Sequence, residues 1–600
     1  MTHTPILAPH SVTRENRADG TIVLTADTPL GEVARNSGVW LDHWARATPD
    51  TVFLAERSGA DWRRETYASA RQKARAIAGW FLGQGMGADT PVLILSGNSI
   101  DHALLTLGAH YVGVPTVPVA EQYTLIPAAH GRLDYVVNLI KPARVFAVDG
   151  AAYAAGLARA KCPAIASSPG ETGATPFADL LAHSDAGVDA AFAKVGPDTV
   201  AKILLTSGST SDPKGVLTTQ RMMTTNQTQL AQGLPFLRQR PPVIVDWLPW
   251  NHVFGGSHNF NMVLSGGGSL YIDDGKPLPA LFGRTLENLA MVPGTVSFNV
   301  PVGFAQLLTA LRSDDALRES YFRDLDMIFY AGASLPQETW VGLEELAART
   351  GRRVPLITSS WGLTETAPAA LLQQVPTEGA GTVGVPLPGV TVKLVPDADM
   401  RCDVRVSGPS IMQSYLNNPA KTAEAFDDEG FFITGDAMRF VDAGDPNLGL
   451  RFDGRISEDF KLMTGTWVQA ANLRLVMLGL LAPYVADIVV TGQGRDQIGL
   501  LIVPNRAAIE KAQIDMETDG GACISPALAN ILRARLRDKA TEATGSATRV
   551  TRALILSEPP DMGEGEVTAK GNINFAKLLS RRAVLVDRLY DDADPAAITI

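Results

Sequence analysis

The segment from Thr206 to Gly215 concentrates residue types that bind phosphate groups. It reads TSGSTSDPKG, so hydroxyl side chains, two glycines and one lysine follow an apolar run that ends at Leu205. Glycine lets backbone amides approach a ligand, hydroxyls donate to phosphate oxygens, and lysine supplies a positive charge. The segment therefore predicts a loop that holds a polyphosphate, with an ordinary polar loop as the alternative. Its spacing is not that of the Walker P-loop, which argues against an NTPase of that type.

Three later segments carry further side chains that could take part in chemistry. Residues 359–366 read SSWGLTET, residues 432–436 read FITGD, and residues 454–465 read GRISEDFKLMTG. Taken singly, an aromatic residue is usually part of a core, and an aspartate after a strand usually caps a turn. In this order and at these separations, the three segments together support the phosphate-binding interpretation of the first.

Alternating strands and helices are expected to position these segments. Residues 66–84 predict a helix, because Ala70, Ala74, Ile77 and Phe81 recur at helical spacing. Strands are predicted at 91–95, 112–119, 243–248, 295–299 and 327–330, and around Val145 and Ile203, with helices at 99–111 and 219–232 among others. This alternation predicts an α/β fold of parallel sheets covered by helices. Residues 384–408 predict a small β-unit of Val-rich strands.

Three other parts of the chain have sequence patterns that differ from this alternation of strands and helices. Residues 1–38 are predicted to be a polar lead-in, and residues 160–200 a surface excursion. After residue 454 the sequence predicts a hairpin (486–491 and 498–503), a helix that starts at Ser525-Pro526, a strand at 553–556 and a helix from Phe575. We therefore expect a large N-terminal domain at residues 1–454 and a smaller α+β domain at 455–600.

Composition limits the class of protein. The 600 residues are 46% hydrophobic and 19% charged, as in soluble globular proteins with several structural units. The net charge of −11 argues against nonspecific nucleic-acid binding. The three cysteines are far apart and have no metal-ligand spacing, which fits a reducing compartment. Residues 1–20 lack the apolar core of a signal peptide, and the most apolar stretch, 475–490, is interrupted, so we expect a cytoplasmic protein without a membrane span.

Together, the four segments resemble the adenylate-forming superfamily of acyl-CoA synthetases, adenylation domains and luciferases. The resemblance runs from about Trp40 to Lys577. Within the superfamily, Trp361 and residues 454–468 and 565–574 are most similar to feruloyl-CoA synthases. The resemblance implies an N-terminal domain that binds AMP or ATP and the acid, and a mobile C-terminal domain.

The resemblance also implies roles for residues toward ATP. The β- and γ-phosphates would be held by Thr206, Ser207, Gly208, Ser209 and Thr210, with Lys214 above them. Trp361 stands where the family usually has a tyrosine that stacks on adenine; it keeps the aromatic face and loses a hydroxyl. The remaining nucleotide contacts would come from Gly332, Ala333, Gly362, Thr364 at the α-phosphate, Asp436 and Arg455 at the ribose, and Lys461. Glu365 would hold Mg²⁺, which prefers oxygen ligands.

A second set of residues is expected to form the acid pocket. By the resemblance, His252, in a Pro-x-x-His-x-x-Gly segment, lies beside the substrate carboxylate; a core histidine is the alternative. The pocket candidates are His252, Val253, Phe254, Phe298, Val300 and Ala331. This mixture of aromatic, small and apolar groups suits a flat ring better than a long chain.

Two positions depart from the family pattern. The hinge residue, usually Asp or Lys, is Ser457 here, and a small residue can still absorb a backbone rotation. The catalytic lysine of the C-terminal domain usually follows a glycine directly, but Asn572 occupies that position. Lys570 is our prediction for that role, with a solvated surface lysine as the alternative. The predicted catalytic residues are Lys570, Lys214, His252 and Glu365.

The implied reaction joins a small-molecule carboxylic acid to CoA in two steps that use ATP and Mg²⁺, through an acyl-AMP. The first hypothesis is a ligase for ferulate or a related hydroxycinnamic or aryl acid, and the second is a ligase for fatty or other aromatic acids. A carrier-linked module or a non-catalytic nucleotide-binding homologue is disfavoured, because the sequence shows no carrier domain and Lys214, Glu365, Asp436 and Arg455 are all present. The sequence leaves a homodimer open.

Overall fold

A computed structural model describes residues 7–206, 213–278, 280–377, 379–542, 545–561, 564–567 and 573–600, with the backbone alone at Ser457 and Glu542. Its largest sheet, sheet A, has the strand order Val12–Asn16, Ile22–Ala26, Thr391–Pro396, Cys402–Ser407, Phe432–Phe440, Leu450–Arg455, Thr382–Pro386, Ala369–Leu372, Leu356–Gly362, Met327–Tyr330 and Val296–Asn299. The last three strands run parallel and the others antiparallel. The Val-rich strands predicted near residues 384–408 are continuous with this sheet.

Two further sheets complete the N-terminal part. Sheet B has the order Lys214–Thr219, Val200–Thr206, Thr116–Pro118, Val92–Ile94, Arg144–Asp149, Ala164–Ser168 and Thr175–Pro176. Sheet C has the order Val243–Asp246, Ser269–Ile272, Val52–Ser58 and Asp61–Thr66. Most neighbouring strands of sheet B are parallel, as predicted from the strand–helix alternation.

Helices pack between and around these sheets. Their bounds are Gly38–Ala47, Tyr67–Gly83, Ile100–Tyr111, Gln122–Leu125, His130–Ile140, Ala154–Ala160, Phe177–Leu181, Val188–Phe192, Gln220–Gly233, Phe236–Gln239, Phe260–Gly266, Phe282–Met291, Pro301–Ser313, Asp315–Phe322, Gln337–Arg349 and Pro419–Glu424. The predicted helix at 66–84 is confirmed as Tyr67–Gly83. Thr66 caps it by accepting from the Ser69 N–H at 3.2 Å, and the apolar positions that predicted it are buried.

Two of the expectations for irregular segments were wrong. Residues 1–38 contain the hairpin Val12–Asn16 and Ile22–Ala26, which forms an edge of sheet A against Thr391–Pro396. Ile22, Val23 and Leu24 are buried there, so this part of the chain belongs to the core. The excursion at 160–200 likewise contributes the strand Ala164–Ser168, which pairs in parallel with Arg144–Asp149 in sheet B.

The C-terminal part has its own sheet and its own hydrophobic cluster. The sheet has the order Val485–Thr491, Ile498–Pro504, Val550–Leu556, Ala522–Ile524 and Glu517–Asp519, with Ile598–Thr599 beside Val550–Leu556 and a separate short pair, Phe460–Lys461 and Trp467–Val468. The helices are Ala470–Leu481, Arg506–Lys511, Pro526–Glu542, Phe575–Arg581 and Ala583–Leu589. One cluster of buried apolar residues extends from Phe460 to Ile598.

The predicted fold class, a large α/β part followed by a smaller α+β part, is confirmed. The expected hairpin is present as Val485–Thr491 and Ile498–Pro504. The division at residues 454/455 stays a prediction. Within the described residues, no helix combines the length and apolar character needed to cross a membrane.

Candidate active site

Asp436 lies at the centre of a group of polar side chains on sheet A. It is 3% exposed, and its carboxylate accepts from the Trp361 indole N–H at 2.8 Å. The Arg455 Nε lies 3.5 Å from its other oxygen, because strands Phe432–Phe440 and Leu450–Arg455 place the two residues opposite each other. Burial raises the pKa of Asp436, while the Arg455 charge and the indole N–H act against that rise. The structure thus brings together three residues predicted from separate segments.

A tight turn after Trp361 depends on Gly362. A Cβ atom at this position would lie 1.6 Å from the Pro368 carbonyl oxygen, so only glycine fits. Thr364 and Glu365 lie in the short 3₁₀ turn that follows, Thr364–Thr366. The Thr366 hydroxyl accepts from the Leu363 N–H at 2.7 Å and holds this turn. Trp361 and Glu365 are thereby fixed on one compact turn.

Tyr415 joins Glu365 to Lys214. Its hydroxyl donates to Glu365 Oε1 at 2.9 Å and accepts from Lys214 Nζ at 3.1 Å, and this Nζ lies 4.2 Å from the centre of the tyrosine ring. Burial and the Glu365 charge raise the pKa of the Tyr415 phenol, which keeps it protonated. Tyr415 was not among the residues predicted from the sequence. Its only local signal is a lone aromatic after the Val-rich strands, which is typical of a core residue.

The ends of the predicted phosphate loop are adjacent strands of sheet B. Thr206 and Lys214 are opposite each other in the antiparallel pair Val200–Thr206 and Lys214–Thr219. The Leu416 N–H donates to the Gly215 carbonyl at 2.7 Å, which places the Tyr415 segment against the loop exit. The Thr206 hydroxyl is buried and has no hydrogen-bond partner among the described residues. Ser207, Gly208, Ser209 and Thr210 lie outside the described residues, so their predicted contacts stay predictions.

The acid-pocket candidates lie at the carboxyl ends of two parallel strands and on a neighbouring helical turn. Phe298 is opposite Phe329 in the pair Val296–Asn299 and Met327–Tyr330, with ring centres 5.3 Å apart. The ring centre of Phe254 lies 5.9 Å from the ring centre of Phe298. Phe329 was not among the residues predicted from the sequence, because the apolar run that contains it predicts only a strand.

The other predicted pocket residues vary in burial. Val253 is buried at 5% exposure, His252, Val300 and Ala331 are half-buried, and Gly332 and Ala333 are exposed. Gly332 has a φ of +87°, which favours glycine, and a Cβ there would lie 3.9 Å from Val300 Cγ1. The His252 carbonyl accepts from the Gly256 N–H at 2.9 Å, at the start of the π-helical turn Phe254–Asn259.

The predicted hinge is bracketed by one arginine. Ser457 lies in the short 3₁₀ turn Ile456–Glu458, and its side chain is not described. Arg401 Nη1 lies 2.6 Å from Asp459, beyond this turn, and Arg401 Nη2 donates to the Asp453 carbonyl at 3.0 Å, before it. Arg401 and Asp459 are both largely buried. We refer to Arg401, Asp453 and Asp459 as the Arg401 clamp.

The two predicted lysines of the C-terminal part are placed differently. Lys461 is opposite Trp467 and its Nζ lies 5.4 Å from the indole ring, so its described contact is within the C-terminal part. Lys570 lies outside the described residues. Its flanking residues Val567 and Ile573 form an antiparallel bridge. Its role therefore stays a prediction.

The donor groups of the site suit ATP and Mg²⁺. Asp436 and Glu365 are buried carboxylates, and Thr206 has a buried hydroxyl that needs a partner. The described part of the chain contains no cluster of three or more His, Cys, Asp or Glu side chains that could hold a metal by itself. Mg²⁺ commonly binds one or two carboxylates together with substrate phosphates, so Glu365 could hold it beside ATP.

Comparison with protein families identifies the class. Residues 41–416 match the AMP-binding enzyme family, and residues 460–594 match the AMP-binding enzyme C-terminal domain. The chain belongs to the AMP-binding enzyme family, within the adenylate-forming superfamily. This confirms the superfamily resemblance; the likeness to feruloyl-CoA synthases is not established by these matches.

Individual relatives are distant. A Mycobacterium tuberculosis ligase that joins a methyl-dioxo-octahydroindenyl propanoyl group to CoA is 26% identical over 76% of this chain and 86% of the relative. The medium-chain fatty-acid–CoA ligase of Escherichia coli is 23% identical over 73% of this chain and 77% of the relative. ATP-bound MatB from Rhodopseudomonas palustris has the same fold, with a TM-score of 0.67 and 21% identity over 93% of this chain and 99% of that structure.

Proposed function

We propose that this enzyme is an ATP-dependent acid–CoA ligase that forms an acyl-AMP and then a thioester. The observation that carries the proposal is the convergence of Asp436, Trp361 and Arg455 with the bridged pair Glu365 and Lys214. This arrangement offers an aromatic face and a carboxylate for a nucleoside, and a lysine and a second carboxylate for its phosphates and their metal ion. The two CoA ligases described above support the choice of CoA as acceptor.

In the first half-reaction the substrate carboxylate attacks the α-phosphorus of ATP, and pyrophosphate leaves. Trp361 stacks on the adenine, and Asp436 accepts from the ribose hydroxyls. Lys214 and Lys570 place positive charge against the phosphate oxygens, where charge develops in the transition state. Mg²⁺ held by Glu365 adds to this charge when it is bound. Tyr415 orients Lys214 and Glu365 relative to each other.

In the second half-reaction the CoA thiol attacks the acyl carbonyl carbon, and AMP leaves. We infer that the domain at 455–600 turns at Ser457 between the two steps, so that two conformations share one substrate position. His252 lies beside the acid carboxylate in this proposal. No covalent bond to a protein side chain is required.

The acid we propose is ferulate or a related hydroxycinnamic acid. The support is the set of aromatic rings formed by Phe254, Phe298 and Phe329, which suits a flat ring. The fatty-acid ligase is the second candidate, because the Escherichia coli relative acts on medium-chain fatty acids.

An assay of CoA-dependent AMP release with ferulate, benzoate and octanoate separates the two candidates. We expect the highest kcat/KM with ferulate. A preference for octanoate would remove the aryl assignment and keep the ligase. AMP release that does not depend on CoA would instead count against CoA as the acceptor of the acyl group. The variant D436N serves as the control for ATP dependence.

A further inference from the structure

Lys202 is a buried lysine in the strand that leads into the predicted phosphate loop. It is 4% exposed, lies in strand Val200–Thr206 and has Thr116 and Thr218 beside it on the two neighbouring strands of sheet B. Burial lowers the pKa of its ammonium to about 7, and no carboxylate in the described part of the chain offsets this effect. Lysine is almost never fully buried unless it is paired, so the partner of this amino group is informative.

The amino group of Lys202 donates to the carbonyl of Gly256. Gly256 belongs to the π-helical turn Phe254–Asn259 and is 54 positions further along the chain. An amino group can donate a hydrogen bond in its charged and in its neutral form, so this contact persists on either side of its pKa. The bond therefore joins the strand of the phosphate loop to the turn that follows His252.

Gly256 is packed tightly against the segment that contains His252. Its N–H donates to the His252 carbonyl at 2.9 Å. A Cβ atom at Gly256 would lie 2.2 Å from the Trp250 carbonyl oxygen, and one at Gly255 would lie 2.3 Å from the Leu248 carbonyl oxygen. The turn thus lies directly on the backbone of residues 248–252. Because close-packed groups transmit displacements, a shift of Gly256 moves His252 with it.

The other end of this connection is the start of the phosphate loop. Thr206 is four positions after Lys202 on the same strand, or about 13 Å away at about 3.3 Å per residue. The strand pairs with Lys214–Thr219, which places Lys214 opposite Thr206. Groups on a paired strand are positioned more precisely than groups on a loop. One hydrogen bond therefore relates the backbone of the predicted phosphate site to the backbone at the predicted carboxylate site.

We propose that Lys202 is a positioning residue, which aligns the substrate carboxylate with the α-phosphorus of ATP. The inference rests on the proposed function, because it takes residues 206–215 as the phosphate site and His252 as the neighbour of the acid. In the first half-reaction a bond forms between a carboxylate oxygen and the α-phosphorus, while the bond from this phosphorus to the oxygen of pyrophosphate breaks. Two separately bound substrates have to meet within a small tolerance for this step.

The second half-reaction does not need this alignment. In acyl-AMP the acyl group and the phosphate are joined by a covalent bond, so the intermediate itself fixes their relative position. Loss of the hydrogen bond from Lys202 should therefore slow the first half-reaction and spare the second. A residue that only stabilised the fold would affect both half-reactions alike.

The variant K202M tests this role, because methionine is an apolar side chain of similar length that cannot donate a hydrogen bond. Single-turnover rates of acyl-AMP formation, and of thioester formation from preformed acyl-AMP, are measured with ferulate, benzoate or octanoate, whichever the wild type uses best. We expect acyl-AMP formation at saturating ATP and acid to fall about 30-fold or more, and thioester formation to stay within about 3-fold. The Kd for ATP alone should also stay within about 3-fold, because ATP keeps its own contacts.

Q227M is the matched control. Gln227 is also buried and donates to two carbonyls of the same turn, those of Ser257 at 3.3 Å and His258 at 3.2 Å. It does so from helix Gln220–Gly233, and these carbonyls are not the one that Lys202 holds. Q227M should leave the ratio of the two half-reaction rates within about 3-fold of the wild-type ratio.

K202Q keeps an N–H donor on a shorter side chain. Its rate of acyl-AMP formation should lie between those of wild type and K202M, and it decides the question if K202M does not fold. Equal slowing of both half-reactions, a wild-type ratio in the Lys202 variants, or the same selective loss in Q227M overturns the role of Lys202 and leaves the ligase assignment. If wild type forms acyl-AMP from none of the three acids, the proposed function fails, and the role of Lys202 with it.

Discussion

Replacing Trp361 by phenylalanine removes one hydrogen-bond donor from Asp436 and keeps an aromatic face. In the wild-type chain the indole N–H lies 2.8 Å from the carboxylate, and the Arg455 Nε lies 3.5 Å away. Burial raises the pKa of Asp436, and Arg455 and the indole N–H both oppose the rise. The variant W361F loses one of these opposing contributions, so the pKa of Asp436 rises further.

The size of the effect follows from the strength of the lost bond. A hydrogen bond to a charged group contributes about 1.5–3 kcal/mol, and about 1.4 kcal/mol corresponds to one pH unit of a titration. Asp436 is almost fully buried, so solvent screening reduces this little. In the proposed ATP complex the ionised carboxylate accepts from both ribose hydroxyls, so activity is expected to fall as pH falls through the pKa of Asp436. The acid limb of the pH profile should therefore move to higher pH by about one to two units.

The assay is acid-dependent exchange of pyrophosphate into ATP, with kcat/KM for ATP measured between about pH 5 and pH 9. W44F is the control, because Trp44 also donates its indole N–H, to the Ser265 carbonyl at 3.1 Å, but outside this site. An acid limb in W361F that coincides with the limb in wild type and W44F would refute the role given to the indole N–H.

Three further outcomes are expected. Lys570→Ala should slow acyl-AMP formation about 100-fold and spare thioester formation from preformed acyl-AMP; equal loss of both half-reactions would assign the role to another lysine. Tyr415→Phe should lower adenylation kcat about 10-fold and lower the melting temperature by only a few degrees, because the hydroxyl that joins the lysine to the glutamate is lost. Gly362→Ala should destabilise the fold by about 3 kcal/mol or more in urea unfolding, because its Cβ would lie 1.6 Å from the Pro368 oxygen, whereas Gly87→Ala, in open space, should be nearly neutral.

Local sequence patterns predicted those helices and strands whose physical cause lies in neighbouring residues. The helix Tyr67–Gly83 follows from the spacing of its apolar residues and from Thr66 as its cap. The pairing of Val485–Thr491 with Ile498–Pro504 follows from two apolar runs joined by a short turn. Long-range pairing was missed, because nothing near Ile22–Ala26 records that its partner is Thr391–Pro396.

The site shows the same difference between features with local signals, which were predicted, and long-range contacts, which were not. The segments that contain Trp361 and Asp436 were found from residue types and a family resemblance. The indole N–H bond between them was not, because it depends on how two strands are placed in sheet A. Tyr415 was missed for a similar reason: its partner Lys214 is 201 positions away.

The Arg401 clamp restrains the predicted hinge. Arg401 ties the chain before and after Ser457 to one guanidinium, so the segment from Asp453 to Asp459 is a closed ring. A large turn at Ser457 has to open this ring by hydrating Asp459, a carboxylate that is otherwise largely buried. A turn that opens the pair therefore has to bring water or other polar groups to Asp459 and Arg401, because either charge left buried without a partner is strongly unfavourable.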